Sequence, residues 1–129
     1  MGLTYVDSCI FIYLLEGTFE QQELIAAQME QHVGDFAVSS LVRMECLVGP
    51  LRRADLLVHD RFERMLDRQR QLDIGPAQFR RATELRARFG LRTADALHLA
   101  TAQLGACTGF WTADLRLAAA SGGLAMHTS

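Results

Sequence analysis

Short apolar stretches alternating with helix-length amphipathic segments limit this chain more than any other feature. Strands separated by helices pack as a parallel sheet with helices against it. Apolar stretches at 2–6, 36–38, 72–74, 109–112 and 124–127 read as strands. Ser8 is placed to cap a helix running to about Glu16, which Gly17-Thr18 breaks. A second helix spans about Phe19 to His32, ahead of Gly34. Ser39 or Ser40 caps a helix from Leu41 to Val48, with Gly49-Pro50 as its stop signal. A long helix follows from about Ala54 to Gln71, with Val58, Phe62, Met65 and Leu66 inward and Arg61, Arg64 and Arg68 on a polar stripe. Gly75-Pro76 opens a helix whose Phe79, Ala82, Leu85 and Phe89 point inward, and Gly90 ends it. Thr93 starts the next, closed by Gly105, and Asp114 opens a short Ala-rich helix that stops at Gly122-Gly123. The order β-α-α-β-α-α-β-α-α-β-α-β describes one α/β domain over residues 1–129, a length that supplies one core.

Composition narrows the function classes. Half of the residues are hydrophobic, which argues against disorder. The longest apolar run, Cys9 to Leu15, is far short of the ~20 residues that span a bilayer. No basic segment precedes an apolar one at the N-terminus, so a secretory signal is not expected. Cys9, Cys46 and Cys107 are widely spaced, which suits reduced thiols in a cytoplasm and not a zinc site. The net charge of −2 conceals an asymmetry, with residues 1–50 at −6 and residues 51–92 at +5. Every fixed cation is Arg, whose fork can grip a phosphate; a solvated helix face explains the same pattern.

Parallel sheets carry their sites at the C-terminal ends of strands. Asp7 directly follows Leu3-Thr4-Tyr5-Val6, and Asp114 follows Phe110-Trp111-Thr112. Glu45 lies one to two turns into the helix after the second strand, and Asp95 in the first turn of its helix. All four can reach one sheet edge. An Asp after a strand is also what a helix cap or turn looks like, and Glu45 fits a surface helix position. Asp95 is different, because its helix, TADALHLATA, is apolar almost all round. Such a helix is buried, and a buried carboxylate needs a partner or a metal. Clustered carboxylates suit Mg²⁺ or Mn²⁺, and such an ion can acidify water, orient it towards phosphorus and stabilise the departing oxygen.

Four pieces carry a resemblance: YVDSCIFIYLLE at 5–16, VSSLVRMECLVG at 38–49, GLRTADALHLATA at 90–102 and FWTADLRLA at 110–118. In order and spacing the chain resembles the PIN-domain ribonucleases, in particular the VapC-type toxins of type II toxin–antitoxin pairs. The resemblance implies a three-layer α/β/α sandwich with a five-stranded parallel sheet in the order 3-2-1-4-5. It implies an Mg²⁺- or Mn²⁺-dependent endoribonuclease. Asp7, Asp95 and Asp114 correspond to the close metal ligands, and Glu45 to an acid that often acts through water. Ser8 and Thr112 match polar positions beside the site. The resemblance also implies a homodimer and a VapB-like antitoxin lying over the active site. Where some members carry a further acid, Leu115, Arg116 and Leu117 follow Asp114, so the pattern for a second metal is incomplete.

His98, one turn after Asp95, can hydrogen-bond into the acidic cluster, although a lone His on an apolar helix is more often structural. Arg92 can contact a scissile phosphate or pair with a carboxylate at the sheet edge. Phe11, Tyr13, Leu14 and Phe19 load the first helix pair with apolar groups, and any left exposed would form a groove for a partner. Two other readings are a non-catalytic PIN-like module that binds RNA or protein, and a free-standing RNA-processing nuclease. A small-phosphate phosphoryl transferase lacks support, since there is no Gly-rich phosphate loop.

Overall fold

The computed structural model describes residues 2–122 and the backbone of 125–127. Twelve elements run along it in the expected alternation: β1 (Leu3–Val6), α1 (Ser8–Glu16), α2 (Phe19–Gln31), β2 (Asp35–Ser39), α3 (Ser40–Arg52), α4 (Leu56–Asp67), β3 (Arg70–Leu72), α5 (Pro76–Phe89), α6 (Thr93–Leu104), β4 (Gly109–Thr112), α7 (Leu115–Ala120) and β5 (Ala125–His127). The strands form one parallel sheet in the order β3-β2-β1-β4-β5. Successive strand side chains point to opposite faces. Thr4, Tyr5 and Val6 on β1 and Phe110, Trp111 and Thr112 on β4 are nevertheless all buried. The centre of the sheet is therefore covered on both faces, as helical crossovers require. Tyr5 pairs in register with Phe110, and their rings stack 5.7 Å apart. Ile10, Phe11, Phe62, Leu66, Leu99 and Leu117 complete the largest part of the core.

Several boundaries differ from the sequence reading, each for a local reason. The third strand is Arg70–Leu72, not 72–74, because backbone pairing with Ala37, Val38 and Ser39 selects the register rather than side-chain hydropathy. Helix α3 continues through Gly49-Pro50 to Arg52. Pro50 stands in the last turn, where it removes one amide-to-carbonyl bond of the helix, and its ring is buried. Helix α4 begins later and ends earlier than expected. Ala54 takes a φ of 56°, which no helix accommodates, and Asp55 caps the helix through the Val58 amide. Ser39 caps α3, but Ser8 is the first residue of α1 and its hydroxyl serves another purpose. In α5, Ala82 and Leu85 are buried as expected, whereas Phe79 and Phe89 are exposed. Gly90 ends α5 with a φ of 67°, the left-handed conformation that glycine adopts without strain. The final strand is Ala125–His127, and Leu124 of the expected segment lies outside the described residues. No described helix is long and apolar enough to cross a membrane.

Candidate active site

The site grows from the C-terminal ends of β1 and β4. Val6 is in register with Trp111, and the Asp7 amide donates to the Trp111 carbonyl at 2.9 Å. This sets Asp7 beside Thr112, whose hydroxyl donates to Asp7 Oδ2 at 2.9 Å. The same Thr112 oxygen accepts from the Asp114 amide at 3.0 Å, so one buried hydroxyl fixes both strand-end acids. Asp7 occupies the N-cap position of α1 but makes no side-chain cap bond. Asp114 does cap α7: its Oδ1 accepts from the amides of Arg116 and Leu117 at 2.9 and 3.3 Å. The helix-cap reading thus holds for Asp114 and fails for Asp7.

Glu45, on the inner side of α3, is held by two donors on one oxygen. The Ser8 hydroxyl donates to Oε1 at 2.9 Å, and His98 Nε2 lies 2.6 Å from the same atom. Burial pushes the Glu45 carboxyl up, but the His98 hydrogen bond and charge, with the Ser8 hydroxyl, outweigh it and hold it below its ordinary range. His98 Nε2 also lies 3.7 Å from Asp7 Oδ1, and one ligand-type atom from each of Asp7, Glu45 and His98 falls within 4.8 Å of the others. Behind His98, Tyr5 and Ser39 continue the hydrogen bonding, at 2.7 Å from Nδ1 to the phenol and 2.8 Å from the phenol to the serine.

Asp95, in the first turn of α6, faces the same cleft. Its carboxyl is raised by burial first, then by the negative charges of Asp7 and Asp114; His98 and Arg92 offset only part of this. An open cleft of about 270 Å³ is lined by Asp7, Ser8, Cys9, Tyr13, Glu45, Asp95, Ala113 and Asp114. All four sequence-predicted acids therefore border one space, with Asp95 and Asp114 outside the tightest group. Among the described residues no arginine forms a salt bridge with any of the four. Ser8 and Thr112 touch the acids directly, while exposed Arg92, at the N-cap of α6, does not line the cleft and reaches Asp95 only through its charge. The turn that carries Arg92 is tied down by Arg86 to the Leu91 carbonyl at 3.0 Å and by Arg116 to the Gly90 carbonyl at 3.4 Å.

Sequence reasoning missed Tyr5 and Ser39, which read as strand core and helix cap, while the hydrogen bond expected from His98 into the acidic cluster is present, to Glu45. The available signal was spacing: His98 is three residues after Asp95, on the same helix face. The cleft is open and polar, lined by four carboxylates with the His98 ring nitrogen close to two of them. That chemistry fits a hard divalent cation, which prefers oxygen ligands and gains from mutually repelling anions.

A parallel α/β sheet bearing an acidic cleft at one edge defines the class, and the match to known families agrees. Residues 4–123 match the PIN domain family, and the chain belongs to it. No curated protein sequence matches significantly. Among solved structures, a toxin–antitoxin complex from Klebsiella pneumoniae is similar at 26% identity over 86% of both chains, with a TM-score of 0.70. FitAcB from Neisseria gonorrhoeae aligns at 14% identity over 96% of both chains, TM-score 0.79. VapC20 from Mycobacterium tuberculosis, a toxin that cleaves the sarcin-ricin loop, aligns at 14% identity over 94% of this chain and 95% of that one, TM-score 0.78.

Proposed function

We propose that this PIN domain is a divalent-metal-dependent endoribonuclease and the toxin of a toxin–antitoxin pair. The observation that carries the reading is the convergence of Asp7, Glu45, Asp95 and Asp114 on one cleft without a bridging arginine among the described residues. Asp114 also caps α7 and Glu45 is held by Ser8 and His98, but Asp95 is raised by burial and by its acidic neighbours, a cost typical of a site built for a ligand.

In this reading Asp7, Asp95 and Asp114 hold Mg²⁺ or Mn²⁺, and Glu45 acts on it directly or through water. A bound cation supplies Lewis-acid activation of water and neutralises charge developing at phosphorus. The chain's own groups orient the acids: Thr112 fixes Asp7 and the Asp114 backbone, while Ser8 and His98 fix Glu45. Arg92, on a turn anchored by Arg86 and Arg116 and near enough for its charge to act on Asp95, receives an RNA phosphate.

The partners follow from exposed apolar surface. Phe11 is core and Tyr13 and Leu14 are partly covered, but Phe19 is 73% exposed. Met44, Val48 and Leu51 on α3 and Leu56 and Leu57 on α4 are exposed too, a larger apolar surface than the first helix pair offers. Such a surface suits an antitoxin segment and a second copy of the chain. The solved toxin–antitoxin relatives support this assignment.

The test compares wild type with Asp7→Asn and Asp95→Asn for cleavage of total cellular RNA in Mg²⁺, Mn²⁺ or EDTA. Cleavage by wild type alone, abolished by EDTA, is expected. Equal cleavage by all three proteins would remove the assignment. Co-expression with the neighbouring reading frame is expected to yield a stable complex; an active, unbound and tolerated protein would instead be a free-standing RNA-processing nuclease.

A further inference from the structure

Four hydrogen bonds run in line beneath the cleft. The Val42 amide donates to Ser39 Oγ at 3.4 Å, Ser39 Oγ lies 2.8 Å from the Tyr5 phenol, the phenol 2.7 Å from His98 Nδ1, and His98 Nε2 2.6 Å from Glu45 Oε1. Tyr5, Ser39 and His98 are at most 1% exposed, so the chain must satisfy its own donors and acceptors. We propose that Ser39, Tyr5 and His98 form a directional hydrogen-bond chain that keeps a proton on His98 Nε2, making His98 a fixed donor to Glu45 and not a ligand of a cation in the cleft. The proposal rests on the nuclease reading only for the presence of that cation.

The number of protons available fixes the direction of the chain. Each hydroxyl has one proton to give, and a neutral imidazole has one N–H and one lone pair in its ring plane. Suppose the ring's only proton sat on Nδ1. The Nε2 lone pair would then face a carboxylate oxygen at 2.6 Å, which is repulsive. The phenol, accepting from Nδ1, would have to donate to Ser39, and no acceptor for the Ser39 proton is found among the described residues. In the opposite direction every group is satisfied: Val42 to Ser39, Ser39 to Tyr5, Tyr5 to Nδ1, and Nε2 to Glu45. A doubly protonated ring also keeps its Nε2 proton.

The chain has a consequence for Glu45. Ser8 and His98 both occupy Oε1, and no hydrogen bond from a described residue reaches Oε2. Oε2 is therefore the atom left for the cleft. Distance alone would count His98 with Asp7 and Glu45 as a ligand, because the three approach within 4.8 Å. The proton on Nε2 removes it from that set and makes it a positioning residue for Glu45.

The direct test is long-range ¹H–¹⁵N correlation on histidine-labelled protein, without metal and with saturating Mg²⁺. A protonated-type Nε2 is expected in both conditions. An unprotonated Nε2 in either would overturn the proposal. A second arm measures Mg²⁺ affinity and RNA turnover in His98→Leu and His98→Gln. Loss of a group that orients a ligand typically costs about 10–100-fold in metal affinity or activity. The Leu variant should show that loss, and the Gln variant, which keeps an amide donor, should recover much of it. Equal loss in both would indicate ligation and overturn the proposal. If the Leu variant does not fold, the spectrum of the wild type decides alone. An inactive wild type with a protonated Nε2 would sink the nuclease reading and leave this one standing; an active wild type with a bare Nε2 would do the reverse.

Discussion

Replacing Asp95 with Asn should stabilise the metal-free protein and weaken its response to Mg²⁺. The magnitude follows from the cleft. A space of about 270 Å³ is roughly 8 Å across if treated as a sphere. Two unit charges at that separation repel by about 0.5 kcal/mol at the dielectric of water and about 2 kcal/mol at an effective value of 20. Asp95 is partly exposed, so the lower figure applies, and its two acidic neighbours Asp7 and Asp114 bring the total to about 1 kcal/mol. For 129 residues at ~2.1 cal/mol/K each, the unfolding entropy is about 0.27 kcal/mol per kelvin, so Tm should rise by roughly 4 °C in EDTA. The sign has a pH signature. The folded carboxyl is raised, so its protonated form is the one favoured by folding, and its ionisation costs stability as pH rises. Below the carboxylate range wild type and variant should melt together, and they should separate as pH approaches neutrality. A cation at ten times its dissociation constant adds about 1.4 kcal/mol to the wild type, about 5 °C, and less to the variant, so the order should reverse in Mg²⁺. Thermal melts followed by circular dichroism read both effects. A variant that melts below wild type in EDTA, or gains as much from Mg²⁺, would refute the reasoning.

Other expectations are simpler. Thr112→Val should lower Mg²⁺ affinity or turnover by about 10–100-fold and cost about 1–3 kcal/mol, because it strips one buried hydroxyl from Asp7 and the Asp114 amide; Thr112→Ser should retain most of both. Calorimetry and urea titration measure the two. Gly90→Ala should cost about 1–2 kcal/mol through its φ of 67°, since a Cβ there meets no neighbouring atom, and the urea midpoint reports it. Cys9 borders the cleft, yet burial and then the Asp7 charge push its thiol up to about 12, so the native protein should resist iodoacetamide at neutral pH, as mass spectrometry of the Cys9 peptide would show.

Much of this was legible in the amino-acid order, and the exceptions share causes. Segments with strong apolar character, such as β1, β4 and α6, announce themselves because burial on all sides leaves only one way to place them. β3 does not, since Arg70-Gln71-Leu72 lies at the sheet edge and is chosen by backbone pairing with β2. Gly49-Pro50 carries the signal of a helix stop, but α3 runs on to Arg52 with the Pro50 ring buried, and burial is a tertiary contribution that the dipeptide does not announce. Phe79 and Phe89 have helical spacing without helical burial, because apolar periodicity says which face is sticky and not whether a neighbour covers it. The acids were visible because Asp7 and Asp114 end strands and Asp95 interrupts an apolar helix. Ser8, Thr112 and His98, which orient them, were legible too, through the resemblance and through spacing, but Tyr5 and Ser39 behind His98 were not. Tyr5 contributes to the site through one hydroxyl on an otherwise apolar ring, and its partner His98 is 93 residues away along the chain.

The central claim is that the acids of this cleft cage a hard cation. Crystals grown with Mn²⁺ and measured at an anomalous wavelength test it most directly. A peak is expected in the cleft with oxygens of Asp7, Asp95 and Asp114 at about 2.0–2.3 Å, the distance at which such ions bind carboxylates. A peak elsewhere on the surface, or none at saturating Mn²⁺, would contradict it.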